Sequence, residues 1–425
     1  MYESLEGEEV PVTEWDRFLS AQEAAAELRV SLPTLYAYAS RGMLRSEAVP
    51  GEPRARRYPR EDVLRLKERK EMRREPERVA PKALDWGAPV LESAITLVRG
   101  GRLYYRGHDV VELARQRTVE EVAALIWAGS FAAAEELFQG DPPELPLLAL
   151  PELGPVERCQ VALPLAGAAD LAAWDLRPRA VAITGGRILR LLARVAAGAE
   201  KGPAPAGVAE ALQQGWAPGR PEASGPIAAA LILAADHELN VSAFTARCVA
   251  SSQANPYDVV TAGLAALKGR RHGGCTERME ALFREAEAGS GPRGIVEARR
   301  VLADRLRRGE EIPGFGQPLY PEGDPRGKAL LALAAEVAPG SKEVELAEAL
   351  AEAGRELLGE HPTLDLGLVA VARALGLAER TPLALFALGR AIGWLGHAIE
   401  QYAAGRLIRP RATYVGEPPE GELSV

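Results

Sequence analysis

KGRRHGGCTE (268–277) and PGFGQPLYPEGDPR (313–326) break a long helical pattern. From 157 to 405 almost every window repeats its apolar residues at a period of about 3.6, with few β-branched runs and with Gly or Pro where helix ends are due. This reading decides the fold class: a mainly all-α body of many packed helices. The two interruptions are where that body shows polar chemistry. His272 is followed by two glycines, which remove side-chain bulk beside the imidazole. Gln317 and Arg326 stand in the second stretch. HPTLDLGLV (361–369) adds Asp365, DHELNVSAF (236–244) adds His237, and Arg390, Arg406, Arg409 and Arg411 lie towards the C-terminus.

At 425 residues the chain exceeds one typical domain, and two or three are expected. Apolar residues make up 47%, enough for a full core, and the net charge of −8 points to no particular partner. Cys159, Cys248 and Cys275 are far apart with no C-x-x-C, which argues for a reducing compartment and against a metal site. No signal-peptide pattern precedes the first charged residues. The longest apolar run, IAAALILAA (227–235), is too short to span a bilayer. A cytoplasmic protein without membrane contact is expected.

Residues 15–72 read as a separate unit. Ser20 caps a helix over AQEAAAELRV (21–30), whose Ala24, Ala25 and Leu28 share a face. Ser31 caps a second helix, LPTLYAYASRG (32–42), with Pro33 in its first turn and Gly42 at its end. A basic strand-like stretch and a charged helix follow in RARRYPREDVLRLKERKEMRRE (54–75). This pattern resembles the winged helix-turn-helix of MerR-type regulators and excisionases. The resemblance implies a second helix in the major groove presenting Thr34, Ala37, Ser40 and Arg41, with Arg54, Arg56, Arg57 and Arg60 on phosphates. Residues 18–79 carry 14 Arg and Lys against 10 Asp and Glu, the reverse of the whole chain's sign. That favours a polyanion. A unit kept for packing or protein contact is the alternative. One such module binds weakly, so specific DNA affinity needs a dimer. The aperiodic, Pro-containing stretch 73–93 is the expected linker.

SAITLVRGGRLYYRGHDVVELA (93–114) predicts a hairpin turning at Gly100-Gly101, then a helix in which His108 is a surface residue. TVEEVAALIWAG (118–129) is an amphipathic helix, and the Pro-rich 140–157 is a loop.

An aspartate whose pKa is raised by burial can take a proton from a weakly acidic C–H. A histidine can hydrogen-bond the oxygen of the resulting enol. Arginines clamp carboxylates through paired N–H···O bonds. Together these groups suggest carbon–carbon bond formation beside a carbonyl. HELNVSAFTAR, ALKGRRHGG, the PGFG…DPR stretch, TLD, and GRAIGWLGHAIEQ followed by RLIRPRATYVG occur in the order seen in the citrate synthase family. The chain resembles that family from about residue 95 to 416.

The resemblance implies a dimer of large helical domains (94–272 and 386–425), each with an inserted small helical domain (273–385). It implies Asp365 as the base towards acetyl-CoA and His272 as the enol stabiliser. His237, Arg326, Arg390 and Arg409 would bind oxaloacetate, Arg409 reaching across the dimer, with Arg406 and Arg411 as alternatives to it. Lys268 and Arg270 or Arg271, with Gly314, Phe315 and Gly316, would contact CoA. Asp365 could equally cap the helix that starts at Leu366. Neither a metal nor a further cofactor is implied, and Cys275 is read as packing. Two departures stand out. No HPM-containing segment occurs, and Gln317 occupies a position where the family usually has histidine. Glutamine donates a neutral hydrogen bond but releases no proton, and loss of a general acid costs about 10²–10⁴-fold. The implied activity is condensation of acetyl-CoA with oxaloacetate to citrate and CoA. A metabolite-sensing DNA-binding regulator and a 2-methylcitrate synthase remain as alternatives.

Overall fold

The structure, a computed structural model, describes residues 18–40, 43–49, 52–60, 62–64, 66–67, 91–145, 152–198, 207–288, 294–412 and 414–417. It divides into two compact units, 1–92 and 93–425. The division falls inside the expected linker, most of which lies outside the described residues.

In the first unit β1 (Phe18–Ser20) leads into α1 (Ala21–Glu27) and α2 (Leu32–Ser40), then β2 (Glu47–Val49) and β3 (Glu52–Pro59). Ser20 caps α1 in a capping box: its hydroxyl accepts from Glu23 N–H while the Glu23 carboxylate accepts from Ser20 N–H. Ser31 Oγ accepts from Thr34 N–H at the start of α2. β3 pairs antiparallel with both β1 and β2, which gives the wing. Ala24, Ala25, Leu28, Leu35 and Tyr58 close a small core. Gly42, the expected end of α2, lies outside the described residues.

The second unit opens with the hairpin β4 (Thr96–Arg99) and β5 (Arg102–Tyr105), to which β6 (His108–Asp109) adds a third strand. Gly100 and Gly101 have φ of +59° and +71°, the left-handed pair that a two-residue hairpin turn requires. The helices α3 (Val110–Gln116), α4 (Val119–Ala128), α5 (Ala134–Leu137), α6 (Pro155–Ala169), α7 (Pro178–Ala197), α8 (Val208–Trp216) and α9 (Ser224–Ala234) follow. Next come α10 (Val241–Ser251), α11 (Pro256–Leu267), α12 (Gly274–Ala288), α13 (Gly294–Arg307), α14 (Pro325–Val337), α15 (Lys342–Leu358), α16 (Leu364–Ala374) and α17 (Thr381–Ala404). The Pro-rich loop is shorter than the expected 140–157, because Pro155 starts α6, the helix position it tolerates best.

α17 organises this body. It is long and apolar enough to cross a bilayer by composition alone, but its apolar window is buried inside the unit. Gly393 lets it press against the loop after α9. A Cβ there would lie 2.4 Å from both Ala235 O and Asp236 Oδ1, and Gly393 N–H donates to Ala235 O at 3.0 Å. That close approach sets the depth at which Arg390, one turn earlier, meets the end of α9.

Candidate active site

Four chain breaks converge around Arg390: the α9–α10 turn, the α11–α12 turn, the loop preceding α14 and the loop preceding α16. Arg390 is 1% exposed. Its Nε donates to Ala234 O at 2.8 Å, and its two terminal nitrogens have no hydrogen-bond partner among the described residues. Burial pushes its pKa down to about 10, helped by the like charge of Arg326 and opposed by Asp236. Arg326 begins α14 and is itself buried. Asp324 caps that helix and takes Arg326 Nε at 2.9 Å and Nη2 at 2.8 Å, and it also accepts from Leu364 N–H at 3.2 Å. One carboxylate thus fixes Arg326 and ties α14 to the start of α16. Among the described residues Arg390 has no such carboxylate partner. Two buried guanidiniums that repel each other, one with free donors, form a site for an anion.

His237 sits against this pair. Its Nε2 is 3.0 Å from Tyr320 Oη, and its pKa lies well below the usual value through burial, then the charges of Arg326 and Arg390. Tyr320 is delivered by a turn in which its N–H donates to Gln317 O at 2.8 Å.

His272 follows α11 in the turn to α12. Burial, reinforced by Arg390, depresses its pKa to about 3, so the imidazole is neutral at physiological pH. Its Nε2 is 2.7 Å from Ser242 Oγ, which also accepts from Trp394 Nε1 at 3.0 Å and lies 2.8 Å from Asn240 Oδ1. Asn240 Oδ1 caps α10 and can only accept. The single Ser242 hydroxyl proton therefore chooses between Asn240 and His272. Given to His272, it leaves Nδ1 carrying the ring hydrogen.

Asp365 lies in the first turn of α16, but Thr363 is the cap residue, so the capping alternative does not hold. Its carboxylate is tied from two sides, Thr276 Oγ1 donating to Oδ1 at 2.6 Å and Thr363 Oγ1 to Oδ2 at 3.3 Å. Burial raises its pKa despite the Thr276 bond and the Arg326 charge. Thr276 is on α12, four residues after His272, so one helix start holds both groups.

The other expected residues are distributed differently. Gln317 is half-buried, its Oε1 accepting weakly from Leu319 N–H at 3.5 Å. Gly314 and Gly316 take left-handed φ of +81° and +73° and lace to the segment before Asp365: Gly314 O accepts from Thr363 N–H and Gly316 N–H donates to His361 O. The Phe315 ring is buried beside Gly354. Lys268 pairs with Glu157 at 2.7 Å, and Arg271 is exposed. Arg409, with Arg406 and Arg411, is exposed and outside the cluster within one chain. Cys275 is half-buried with its thiol pushed up to about 12, in keeping with packing. Among the described residues no group of three or more His, Cys, Asp or Glu could hold a metal.

On the first unit Arg56 Nη1 bonds Ser46, and Arg57 pairs with Glu47 while lying over the Phe18 ring. Arg41 and the Arg54 side chain lie outside the described residues. Sequence reasoning missed Thr276, Tyr320, Asp324 and Trp394, and on α2 it missed Tyr36, 51% exposed and three residues from Pro33 on the outward face. Hydroxyls placed four residues from a candidate histidine or three from a candidate glutamine were the available signal.

The family model for citrate synthase, C-terminal domain, matches residues 83–141 and 153–411, and one for a helix-turn-helix domain matches 18–71. The chain is 29% identical to citrate synthase of Haloferax volcanii over 366 residues, 78% of this chain and 94% of that one. It is 31% identical to 2-methylcitrate synthase of Mycobacterium tuberculosis over 342 residues, 74% and 84% of the two. Its fold is similar to that of citrate synthase from the archaeon Thermoplasma acidophilum, solved in ternary complex with carboxymethyl coenzyme A and oxaloacetate. The TM-score is 0.67 at 28% identity, covering 81% of this chain and 98% of that one. A helix-turn-helix unit thus precedes a mainly helical body carrying a buried carboxylate, a neutral imidazole and two buried arginines, and the chain belongs to the citrate synthase family as an acyltransferase of that type.

Proposed function

We propose that the protein condenses acetyl-CoA with oxaloacetate to give citrate and CoA. The reading rests above all on Arg390, whose buried, unpaired donors face a second buried arginine between His237, His272 and Asp365. Arg326, Arg390 and His237 hold the diacid, Gln317 orients its ketone, and Arg409 of a second copy completes the clamp in a dimer. The Asp365 carboxylate, whose proton affinity burial raises, takes a methyl proton from the thioester. With the Ser242 hydroxyl donating its hydrogen bond to Nε2, neutral His272 carries its one ring hydrogen on Nδ1 and donates it to the thioester oxygen as the enolate forms. The enolate carbon attacks the ketone carbon, and water then hydrolyses the thioester. Lys268, Arg271 and the Gly314–Gly316 loop contact CoA. Residues 273–385 act as the small domain that closes over the substrates. The thioester is a substrate, and the reaction consumes no cofactor.

The identity to a 2-methylcitrate synthase supports a second acyl donor, propionyl-CoA, in the same site. Incubating purified protein with oxaloacetate and either thioester, and identifying the product by mass, tests both. Citrate or methylcitrate with matching free CoA is expected. Neither product from either thioester refutes the condensation.

The helix-turn-helix supports a further reading, DNA binding in the cytoplasm with the body as metabolite sensor. In this reading Thr34, Ala37, Ser40 and Arg41 would enter the groove, with the exposed Tyr36 beside them, and Arg54, Arg56 and Arg57 would contact phosphates. Its test is a shift assay with the protein's own upstream DNA across a salt series, with and without oxaloacetate.

A further inference from the structure

The condensation turns a ketone oxygen into an alkoxide that must gain a proton. Gln317 cannot give one. Among the described side chains gathered at the arginine pair, His237 is held neutral by burial and two guanidiniums, so it has no imidazolium proton to offer. Two phenols stand at the pair: Tyr105 Oη lies 3.1 Å from both Ile232 O and Asp236 O and accepts Asp236 N–H at 3.0 Å, so its O–H is engaged with backbone, and the O–H left to face a substrate is that of Tyr320. It is 2% exposed, lies 3.0 Å from His237 Nε2, and its ring centre is 5.7 Å from the Arg326 guanidinium carbon. We infer that Tyr320, oriented by His237, is the group that protonates the ketone oxygen as the carbon–carbon bond forms. The inference rests on the condensation proposed above.

The step balances. Asp365 removes a methyl proton, and that electron pair forms the enolate held by His272. The enolate carbon bonds to the ketone carbon, the ketone π pair moves to oxygen, and the Tyr320 proton goes with it. Arg326 and Arg390 face the resulting phenolate, and the charges of both favour that form. Burial works the other way and keeps the phenol protonated until an alkoxide, a base of comparable strength, appears. Asp365 then gives its proton to solvent and the phenolate takes one, which restores both groups. His237 acts by positioning: its Nε2 accepts the phenol O–H in the resting site and releases it when the ketone arrives.

Tyr320→Phe removes the proton and keeps the ring. The variant is expected to lose about 10²-fold or more in kcat for CoA release, with KM for oxaloacetate within about threefold. A second readout separates chemistry from folding. With malate, a four-carbon diacid without a ketone, in the clamp, exchange of acetyl-CoA methyl protons with D2O needs only Asp365 and His272. That exchange is expected to stay within about twofold of the unsubstituted protein. The inference is overturned if Tyr320→Phe keeps kcat within about threefold, or if exchange falls in step with condensation. An unsubstituted protein that forms no condensation product overturns the condensation reading first and Tyr320 with it. Normal turnover in both proteins overturns Tyr320 alone.

Discussion

The charges of the body and the charges of the N-terminal unit do opposite things. Around Arg390 they are buried, few and incompletely neutralised, so each shifts its neighbours: two histidines go down, Asp365 goes up, and Arg390 itself falls to about 10. On the first unit Arg45, 73% exposed, pairs with Asp62, and Arg57 pairs with Glu47 across the wing. Buried charge that cannot relax is suited to binding a small dianion and stabilising an enolate. Solvated charge is suited to a polyanion, with affinity drawn from released counterions. The same residue type, arginine, is buried in one unit and solvated in the other, and burial decides which kind of anion it suits.

The largest effect that can break this contrast is at Asp365. Asp365→Asn is expected to lower kcat by about 10³–10⁴-fold, read by CoA release. It should not destabilise the fold at neutral pH. A carboxyl whose folded pKa is raised contributes stability below its unfolded pKa and loses it as pH rises through the folded value. The neutral amide escapes that loss, so Tm at pH 7 should match or exceed that of the unsubstituted protein, the difference vanishing near pH 4.

Next is Arg326→Leu, which leaves Asp324 buried without its partner. Denaturant unfolding should show a loss of about 3–5 kcal/mol. A loss below about 1 kcal/mol would mean that the pair behaves like a surface one.

Glu280 on α12 sharpens the contrast at smaller scale. It accepts the N–H of Arg380, the left-handed residue that begins α17, at 3.2 Å and 3.3 Å. Burial, with Glu379 and Glu277 nearby, pushes its pKa up to about 7, while Arg284 and the Arg380 N–H oppose the rise. The raised pKa means stability is present in acid and lost as pH passes 7. Glu280→Gln should therefore gain on the order of 1 kcal/mol at pH 8 after solvent screening and nothing below about pH 4. The smallest effect belongs to the first unit. Arg45→Ala should cost under about 1 kcal/mol and respond to salt, because that arginine is solvated.

Much of this was legible in the chain. Periodicity gave the helical body, Ser20 and Gly100-Gly101 marked a cap and a turn, and His272, Asp365, Arg326 and Arg390 are drawn to one place. What escaped was anything set by three-dimensional proximity between distant segments. Thr276 looks like an ordinary helix residue until its hydroxyl meets Asp365, 89 positions on. Trp394 looks like core until its indole N–H meets Ser242, 152 positions back. Tyr320 reads as part of a loop, and only the fold sets it against His237. The Asp365 cap reading failed because Asp is a good cap in general, while here the helix starts two residues earlier, at Leu364, and Thr363 takes that place.

The central claim is that base, imidazole and arginine clamp act on one thioester and one keto acid in a single cleft. Methyl-13C acetyl-CoA and oxaloacetate, mixed with the protein and followed by NMR, test it directly. The account predicts transfer of the label into a methylene beside a new quaternary carbon, absent with Asp365→Asn. Label appearing only as acetate, with oxaloacetate untouched, would mean simple thioester hydrolysis and would contradict it.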